Sequence, residues 1–340
     1  MPYNSVSYIR EAGGPGELEK HLADIQGSGL TTAIVGMLHI GNPEDHKDDP
    51  KAKTMKFGDF IYNNYPDDLI VRDGTFNPPN PDPDPKKAKA NNEAIAKWPA
   101  QVAKLKQQGS VRDVFLVVGS PPRYWPDFKN IGTMLAQDDG AQLKKNLVAL
   151  QDAFTINGRC VIDGFDIDCE ETLDQATQDI VVRFCEMVFD LGFKVTFCPY
   201  ENPDWWRDCM RTLWNGRDGR DRDKLSWWNL QCYAGGIGNL GDLSPWIDAL
   251  GAVVGPQAAS SYLVPGLCPA GEDDVDGDVH CAFGPNSFET IASGWKNPKL
   301  RGMFLWRYDP LALEKNRGLC SGPNTLAEYV KAIKSGLSKG

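Results

Sequence analysis

Segments rich in β-branched and aromatic residues alternate with helical segments along the 340-residue chain. Eight of the segments rich in β-branched and aromatic residues have the length and composition of strands. These predicted strands span residues 5–10, 31–40, 111–119, 160–170, 194–200, 226–233, 258–264 and 300–308. Strands that alternate with helices form parallel sheets, because two parallel strands can be joined only by a long crossover.

Eight strand–helix units fit a single domain covering residues 1–340, and the simplest closed form is one (β/α)8 TIM barrel. The main alternative is an open doubly wound sheet, which usually carries a glycine-rich phosphate loop. Neither G-x-G-x-x-G nor G-x-x-x-x-G-K follows the first strands. We therefore predict a barrel, whose catalytic side chains would lie at the carboxyl ends of several strands.

The formal net charge of -10 argues against a nucleic-acid partner and against an anionic membrane, since both need a surplus of Lys and Arg. The sequence has no apolar run near the ~20 residues that span a bilayer. We expect a monomer that acts on a neutral substrate. Secretion is our hypothesis for the localisation, with the cytoplasm as the alternative. The N-terminus of the given sequence shows no basic region followed by an apolar core.

The nine cysteines are an odd number and show no zinc-like spacing. Cys268 and Cys281 bracket a polar loop, and a disulfide between them is an open alternative if the protein is exported. The four histidines show no ligand spacing. We expect neither a metal nor a cofactor.

Three acids, Asp166, Asp168 and Glu170, stand at every second position at the end of the fourth predicted strand. In an extended strand they share one face, and the apolar residues between them share the other. Two carboxylates ~6.8 Å apart repel by ~2.4 kcal/mol at an effective dielectric of about 20. Such a site favours one carboxyl group that keeps a proton near working pH and can donate it.

Two other interpretations of this run are a solvated edge strand and a calcium loop. The first is disfavoured because Val161 and Ile162 open the run and every intervening position is apolar, as in a strand buried on both faces. The second needs a glycine at its sixth position and a glutamate at its twelfth, which are absent here. We therefore favour a catalytic site.

The string D-G-F-D-I-D-C-E at residues 163–170 resembles the signature of glycoside hydrolase family 18, the chitinases and endo-β-N-acetylglucosaminidases. Gln231 and Tyr233 on the sixth strand resemble the family's Gln-x-Tyr, and Trp306 on the eighth resembles its pocket-floor tryptophan. Residues 195–199 are similar to the fifth strand of plant-type members. The family resemblance also implies a (β/α)8 barrel.

This resemblance implies substrate-assisted hydrolysis, in which the 2-acetamido group of the sugar attacks its own anomeric carbon. Glu170 would protonate the departing oxygen, and Asp168 would orient the acetamide. Asp166 would share a proton with Asp168, and Tyr233 would donate a hydrogen bond to the acetamide oxygen. These four residues are the predicted catalytic set.

The predicted substrate-binding residues are Gln231 and the tryptophans at strand ends. Trp306 would stack on the sugar. Trp125, Trp205 and Trp206 follow the third and fifth strands on the expected substrate side, where we expect them to stack on sugar rings.

The interpretation we favour is a chitinase acting on β-linked N-acetylglucosamine glycans. The first alternative is an endo-β-N-acetylglucosaminidase that cuts the chitobiose core of N-glycans. The second is a chitinase-like carbohydrate-binding protein, which ranks lower because such proteins typically lose the acid and Glu170 is present.

Overall fold

A computed structural model describes residues 3–269, 283–295, 300–312 and 324–339. Cys281 lies outside the described residues, so its pairing with Cys268 stays a prediction. None of the helices in these four ranges is long and apolar enough to cross a membrane.

Eight parallel strands form a closed barrel, which confirms the predicted (β/α)8 fold. Each strand pairs with the next along the chain, and β1 pairs with β8 from Asn4 opposite Gly302 to Ser7 opposite Leu305. The strands are β1 Asn4–Ile9, β2 Thr32–Ile40, β3 Asp113–Val118, β4 Gly164–Ile167, β5 Lys194–Phe197, β6 Leu225–Gln231, β7 Leu263–Leu267 and β8 Gly302–Leu305.

Ten helices surround the strands in the described segments. They are α1 Leu18–Gly27, α2 Pro85–Gln107, α3 Asp127–Asp138, α4 Ala141–Ala153, α5 Gln175–Asp190, α6 Pro203–Asn215, α7 Ser244–Val254, α8 Pro285–Gly294, α9 Asp309–Ala312 and α10 Leu326–Lys339. Local sequence explains where two of these helices begin. Asp174 accepts a hydrogen bond from Thr177 N at 2.8 Å before α5, and Asn202 accepts one from Trp205 N at 3.2 Å before α6.

Sequence reasoning missed one full helix and a set of antiparallel strands. Helix α3 begins after Pro126 with no side-chain cap, so its start carries no capping signal. The end of β2 also pairs with the strand Phe60–Tyr62, and the sheet continues outward through Leu69–Arg72 and Thr75–Phe76. A separate hairpin joins Thr155–Ile156 to Arg159–Cys160.

The largest corrections to the predicted strand boundaries concern the fourth and seventh strands. The fourth strand, predicted over 160–170, is regular only over Gly164–Ile167. The seventh, predicted over 258–264, is shifted to Leu263–Leu267 because Ala259–Tyr262 forms a 3-10 turn. The predicted two-residue alternation is nevertheless present at Phe165 and Asp166. Phe165 packs in the layer between barrel and helices, whereas Asp166 is fully buried among side chains of the barrel interior.

Candidate active site

Asp166 is fully buried inside the barrel, among donors from three other strands. Its Oδ1 accepts hydrogen bonds from Thr196 Oγ1 at 2.5 Å and Asn229 Nδ2 at 2.9 Å. Its Oδ2 accepts one from the Tyr8 hydroxyl at 2.6 Å. Burial raises the pKa of Asp166, and the three donors lower it. They therefore offset part of the cost of ionising this carboxyl group.

Asp168 lies two residues further along the chain and is also buried. Burial raises the pKa of Asp168 well above its usual range, and the charges of Glu170 and Asp166 raise it further. Its Oδ1 accepts a hydrogen bond from Gln231 Nε2 at 3.2 Å. With more donors on Asp166 than on Asp168, the arrangement favours a charge on Asp166 and a proton on Asp168.

Glu170 follows the end of β4 and is partly exposed, in contrast to the two buried aspartates. Its neighbour Glu171 accepts hydrogen bonds from Phe128 N at 2.6 Å and Lys129 N at 3.0 Å. These contacts anchor the segment that carries Glu170 to the first turn of α3. Gln231 Nε2 lies 3.5 Å from Glu170 Oε1. The Gln231 amide group therefore contacts the carboxyl groups of both Asp168 and Glu170.

Tyr233 and Trp306 form an aromatic wall beside these acids. Their rings are nearly parallel, at 13°, with centroids 6.1 Å apart. Tyr8 packs edge-on against Trp306 at 5.0 Å. Within the described part of the chain, no group forms a hydrogen bond with the Tyr233 hydroxyl. That hydroxyl is therefore available to a bound molecule.

Three residues that hold Asp166 were absent from the predicted site: Tyr8, Thr196 and Asn229. Asn229 stands two positions before Gln231 on β6, so strand alternation places both on the inner face. That signal was available in the sequence. Thr196 stands opposite Asp166 on the neighbouring strand β5, a register that the sequence does not specify. No local signal shows that Tyr8 faces Asp166, because β1 is not a neighbour of β4 and the two approach each other only across the closed barrel.

The structure does not present Trp205 and Trp206 to a substrate, which corrects the expectation that they stack on sugars. Both lie on α6 and are 7% and 1% exposed. Trp206 packs edge-on against Phe197 at 5.6 Å, and Trp205 Nε1 donates a hydrogen bond to Asp174 O. The face of α6 that carries them is turned towards the barrel, because burying two indole rings is strongly favourable.

Trp125 is partly exposed, and its ring contacts two imidazoles. The ring of His39 stacks on it at 4.7 Å with an angle of 9°, and the ring of His46 lies 4.2 Å away. His39 Nδ1 is in turn 3.0 Å from the buried Asp127. Two of the four histidines, to which sequence analysis assigned no role, thus contact the ring on which a sugar was expected to stack.

No group of three or more His, Cys, Asp or Glu side chains in the described ranges has the arrangement of a metal site. Neither protein-family models nor curated protein sequences match the chain.

Solved structures do match over almost the whole chain. A family 18 chitinase from Pseudoalteromonas aurantia has a TM-score of 0.55 at 12% identity, covering 97% of this chain and 98% of its own. A Group II chitinase catalytic domain from Ostrinia furnacalis, in complex with (NAG)5, has a TM-score of 0.54 at 13% identity, covering 99% and 97%. An endo-β-N-acetylglucosaminidase from Cordyceps militaris has a TM-score of 0.51 at 12% identity, covering 99% of this chain and 91% of its own.

The chain has the fold of family 18 glycoside hydrolases. The resemblance first indicated by residues 163–170 is thereby confirmed in the fold. The closer likeness to plant-type members stays a prediction.

Proposed function

We propose that this chain is a family 18 glycoside hydrolase that cleaves β-linked N-acetylglucosamine glycans with retention of configuration. The observation that supports the proposal best is the cluster of three carboxyl groups at the carboxyl end of β4, two of which, Asp168 and Glu170, are bridged by Gln231. Enzymes with this architecture carry their catalytic groups at that end of the barrel.

Glu170 is the proposed general acid. It is the only one of the three acids with appreciable exposure, so a glycosidic oxygen can approach it. The acetamide oxygen of the substrate forms a bond to the anomeric carbon while the glycosidic bond breaks, and Glu170 gives its proton to the leaving oxygen. Water then opens the cyclic intermediate and returns a proton to Glu170.

Asp168 and Asp166 act as a pair on the acetamide. A protonated Asp168 can rotate its proton towards Asp166 or present it to the substrate, and the three donors on Asp166 stabilise the charge that remains. As positive charge develops on the oxazolinium-like intermediate, Asp168 stabilises it by sharing that proton with Asp166. The two aspartates therefore have different roles despite equal burial.

Tyr233 and Trp306 provide the remaining contacts. The Tyr233 hydroxyl donates a hydrogen bond to the acetamide oxygen, which orients that oxygen for attack. Trp306 is partly exposed and supplies an apolar surface for the sugar ring and the acetamide methyl group.

Chitin is the proposed substrate, and the chitobiose core of N-glycans is the second candidate. The likeness to the Cordyceps militaris enzyme favours keeping that alternative. The two have the same chemistry at the cleaved bond and differ in what lies beyond it.

Product analysis on a ladder of N-acetylglucosamine oligomers, beside a high-mannose glycoprotein, tests both candidates. Cleavage of the oligomers with a β-configured first product supports a chitinase, whereas release of the high-mannose glycan alone supports the alternative. A carbohydrate-binding protein would bind the oligomers and cleave neither substrate. Glu170→Gln is the control for contaminating activity.

A further inference from the structure

The side chain of Cys198 lies inside the barrel, beside the two buried aspartates. Cys198 follows the last residue of β5 and is 1% exposed. Its backbone N–H donates a hydrogen bond to Ile167 O at 2.8 Å, which continues the pairing of β5 with β4 and places Cys198 opposite Asp168. The side chain packs in the interior cluster that contains Tyr8 and Tyr233. The thiol therefore faces the proposed site.

Three polar side chains surround this thiol. Its Sγ is 2.9 Å from the Tyr8 hydroxyl and 3.6 Å from Gln231 Nε2. The Gln231 amide also donates a hydrogen bond to Cys198 O at 3.3 Å. Burial raises the pKa of Asp168, and a hydrogen bond with the Cys198 side chain opposes that effect. The thiol therefore links Asp168 to Tyr8, the residue that holds Asp166.

The thiol and the Tyr8 hydroxyl each carry one proton. The nearest acceptor for the Tyr8 proton is Asp166 Oδ2 at 2.6 Å. A carboxylate is a much stronger acceptor than a thiol sulfur, so Tyr8 donates to Asp166. Burial raises the pKa of the Cys198 thiol well above its usual value, so the thiol keeps its own proton. The S–H group can then donate either to the Tyr8 oxygen or to Asp168.

We propose that Cys198 is a positioning residue for the two aspartates, and that its S–H group turns from the Tyr8 oxygen to Asp168 when Asp168 becomes charged. This inference rests on the proposed function and deepens it. Before the reaction, Asp168 holds the shared proton, and the thiol donates to the Tyr8 oxygen, which strengthens the hydrogen bond from Tyr8 to the charged Asp166. When the proton passes from Asp168 to Asp166, the negative charge moves to Asp168 and the thiol donates there. The thiol proton stays on sulfur throughout.

A thiol suits this role because it is a weak donor. A hydroxyl group in its place would hold the charge more firmly on one carboxyl group, and a methyl group would offer a donor to neither. In the described part of the chain, the titratable groups that face the thiol are Tyr8 on β1, Asp166, Asp168 and Glu170 around the end of β4, and Tyr233 after β6. Burial raises the pKa of both tyrosines well above their usual value, so the acidic limb of the activity profile reports the carboxyl groups.

Two substitutions at Cys198 test the role of the donor. Cys198→Ala should lower kcat by about tenfold with little change in KM. It should also move the acidic limb of the profile to higher pH, because carboxyl groups that lose a donor lose their charge at a higher pH. Cys198→Ser retains a donor at the same place and should retain most of kcat. Its acidic limb should move to lower pH, since a hydroxyl is the stronger donor.

Cys185→Ala is the matched control, because Cys185 is buried on α5 and packs in the layer between barrel and helices. It removes the same atom from a buried position, so it should lower stability and leave the pH profile unchanged.

The S–H stretching band in the infrared follows the thiol directly, and it needs only the wild type and Cys198→Ser. The band of Cys198 is the one that is missing from Cys198→Ser. Its frequency falls as the acceptor of the S–H group becomes stronger. A thiazoline analogue of the cyclic intermediate, protonated at nitrogen, draws the negative charge onto Asp168. Binding of this analogue should therefore lower the frequency, because a carboxylate is a stronger acceptor than a phenol oxygen.

Three results overturn this inference and leave the proposed function intact. The first is a Cys198→Ala enzyme with the rate and the acidic limb of the wild type. The second is an equal loss of rate in Cys198→Ala and Cys198→Ser with the acidic limb in place, which shows a role in packing alone. The third is an S–H band that does not move when the analogue binds. A wild type that cleaves none of the N-acetylglucosamine oligomers refutes both this inference and the proposed function.

Discussion

The Tyr8 hydroxyl donates a 2.6 Å hydrogen bond to Asp166 Oδ2, although 158 positions separate the two residues in the chain. Cys198 Sγ lies 2.9 Å from the same hydroxyl. The first strand of the barrel thus contacts the buried Asp166 of the fourth strand, and closure of the barrel is what brings the two strands together. The charge on Asp166 is stabilised by Thr196 on the neighbouring strand and by Tyr8 and Asn229 on strands that do not pair with β4.

Thr196→Val should shift the acidic limb of the activity profile to higher pH. The Thr196 hydroxyl lowers the pKa of Asp166, so its removal raises that pKa, and Asp166 then loses its charge at a higher pH. The kcat/KM profiles of wild type and variant measure the shift. Thr212→Val on the exposed face of α6 should leave the profile unchanged. Superimposable profiles for Thr196→Val and wild type would show that Asp166 need not be ionised.

Glu170→Gln should lower kcat by ~100-fold or more while substrate binding survives, because the amide retains the shape of the side chain but has no acidic proton to donate. Steady-state kinetics and calorimetric binding of an oligomer separate the two effects. Glu289→Gln, at a carboxylate paired with Lys339 on the outside of the barrel, is the matched control. Near-normal turnover in Glu170→Gln would place the acid elsewhere.

Trp206→Ala should act on stability. The ring is 1% exposed and packs against Phe197, so its truncation leaves a cavity that costs ~3–5 kcal/mol of the free energy of unfolding. Tyr124→Ala provides a comparison, because Tyr124 is 43% exposed and its loss should cost less than ~1 kcal/mol. Denaturant unfolding measures both. A Trp206→Ala protein of unchanged stability that binds long oligomers poorly would contradict a role in packing and would support the original prediction that Trp206 stacks on sugar.

Asp68 should make stability depend on pH. Burial raises the pKa of Asp68 to about 7, above its usual value of 3.8. The stability that follows from this raised pKa is fully present below pH ~4 and is lost as pH rises through about 7. Relative to Asp68→Asn, the wild type should therefore be more stable at pH 5.5 than at pH 8.5, as measured by urea midpoints.

The control for this experiment is Asp73→Asn, since Asp73 is exposed and pairs with Lys56 on the surface. A difference between wild type and Asp68→Asn that stays constant with pH would contradict the assignment.

Much of the barrel and part of the site could be predicted from sequence. The eight strands were identified, with the largest boundary errors at the fourth and seventh. The placing of Asp166, Asp168 and Glu170 on one face followed from two-residue alternation, and Gln231 was identified by the family resemblance. Helix α3 was missed because Pro126 provides no capping side chain. Trp205 and Trp206 were misassigned because a position after a strand end does not reveal which side of the following helix packs against the barrel.

The sequence by itself determined that Asp166, Asp168 and Glu170 stand at every second position around the end of β4, a spacing at which side chains of an extended chain point the same way. It also determined the parallel sheet, because helical crossovers separate the strands. Only the tertiary structure decided which donors surround Asp166 and which aromatic rings remain accessible. Those contacts join residues far apart in sequence, and they depend on the register of neighbouring strands, on how the sheet closes and on which faces it buries.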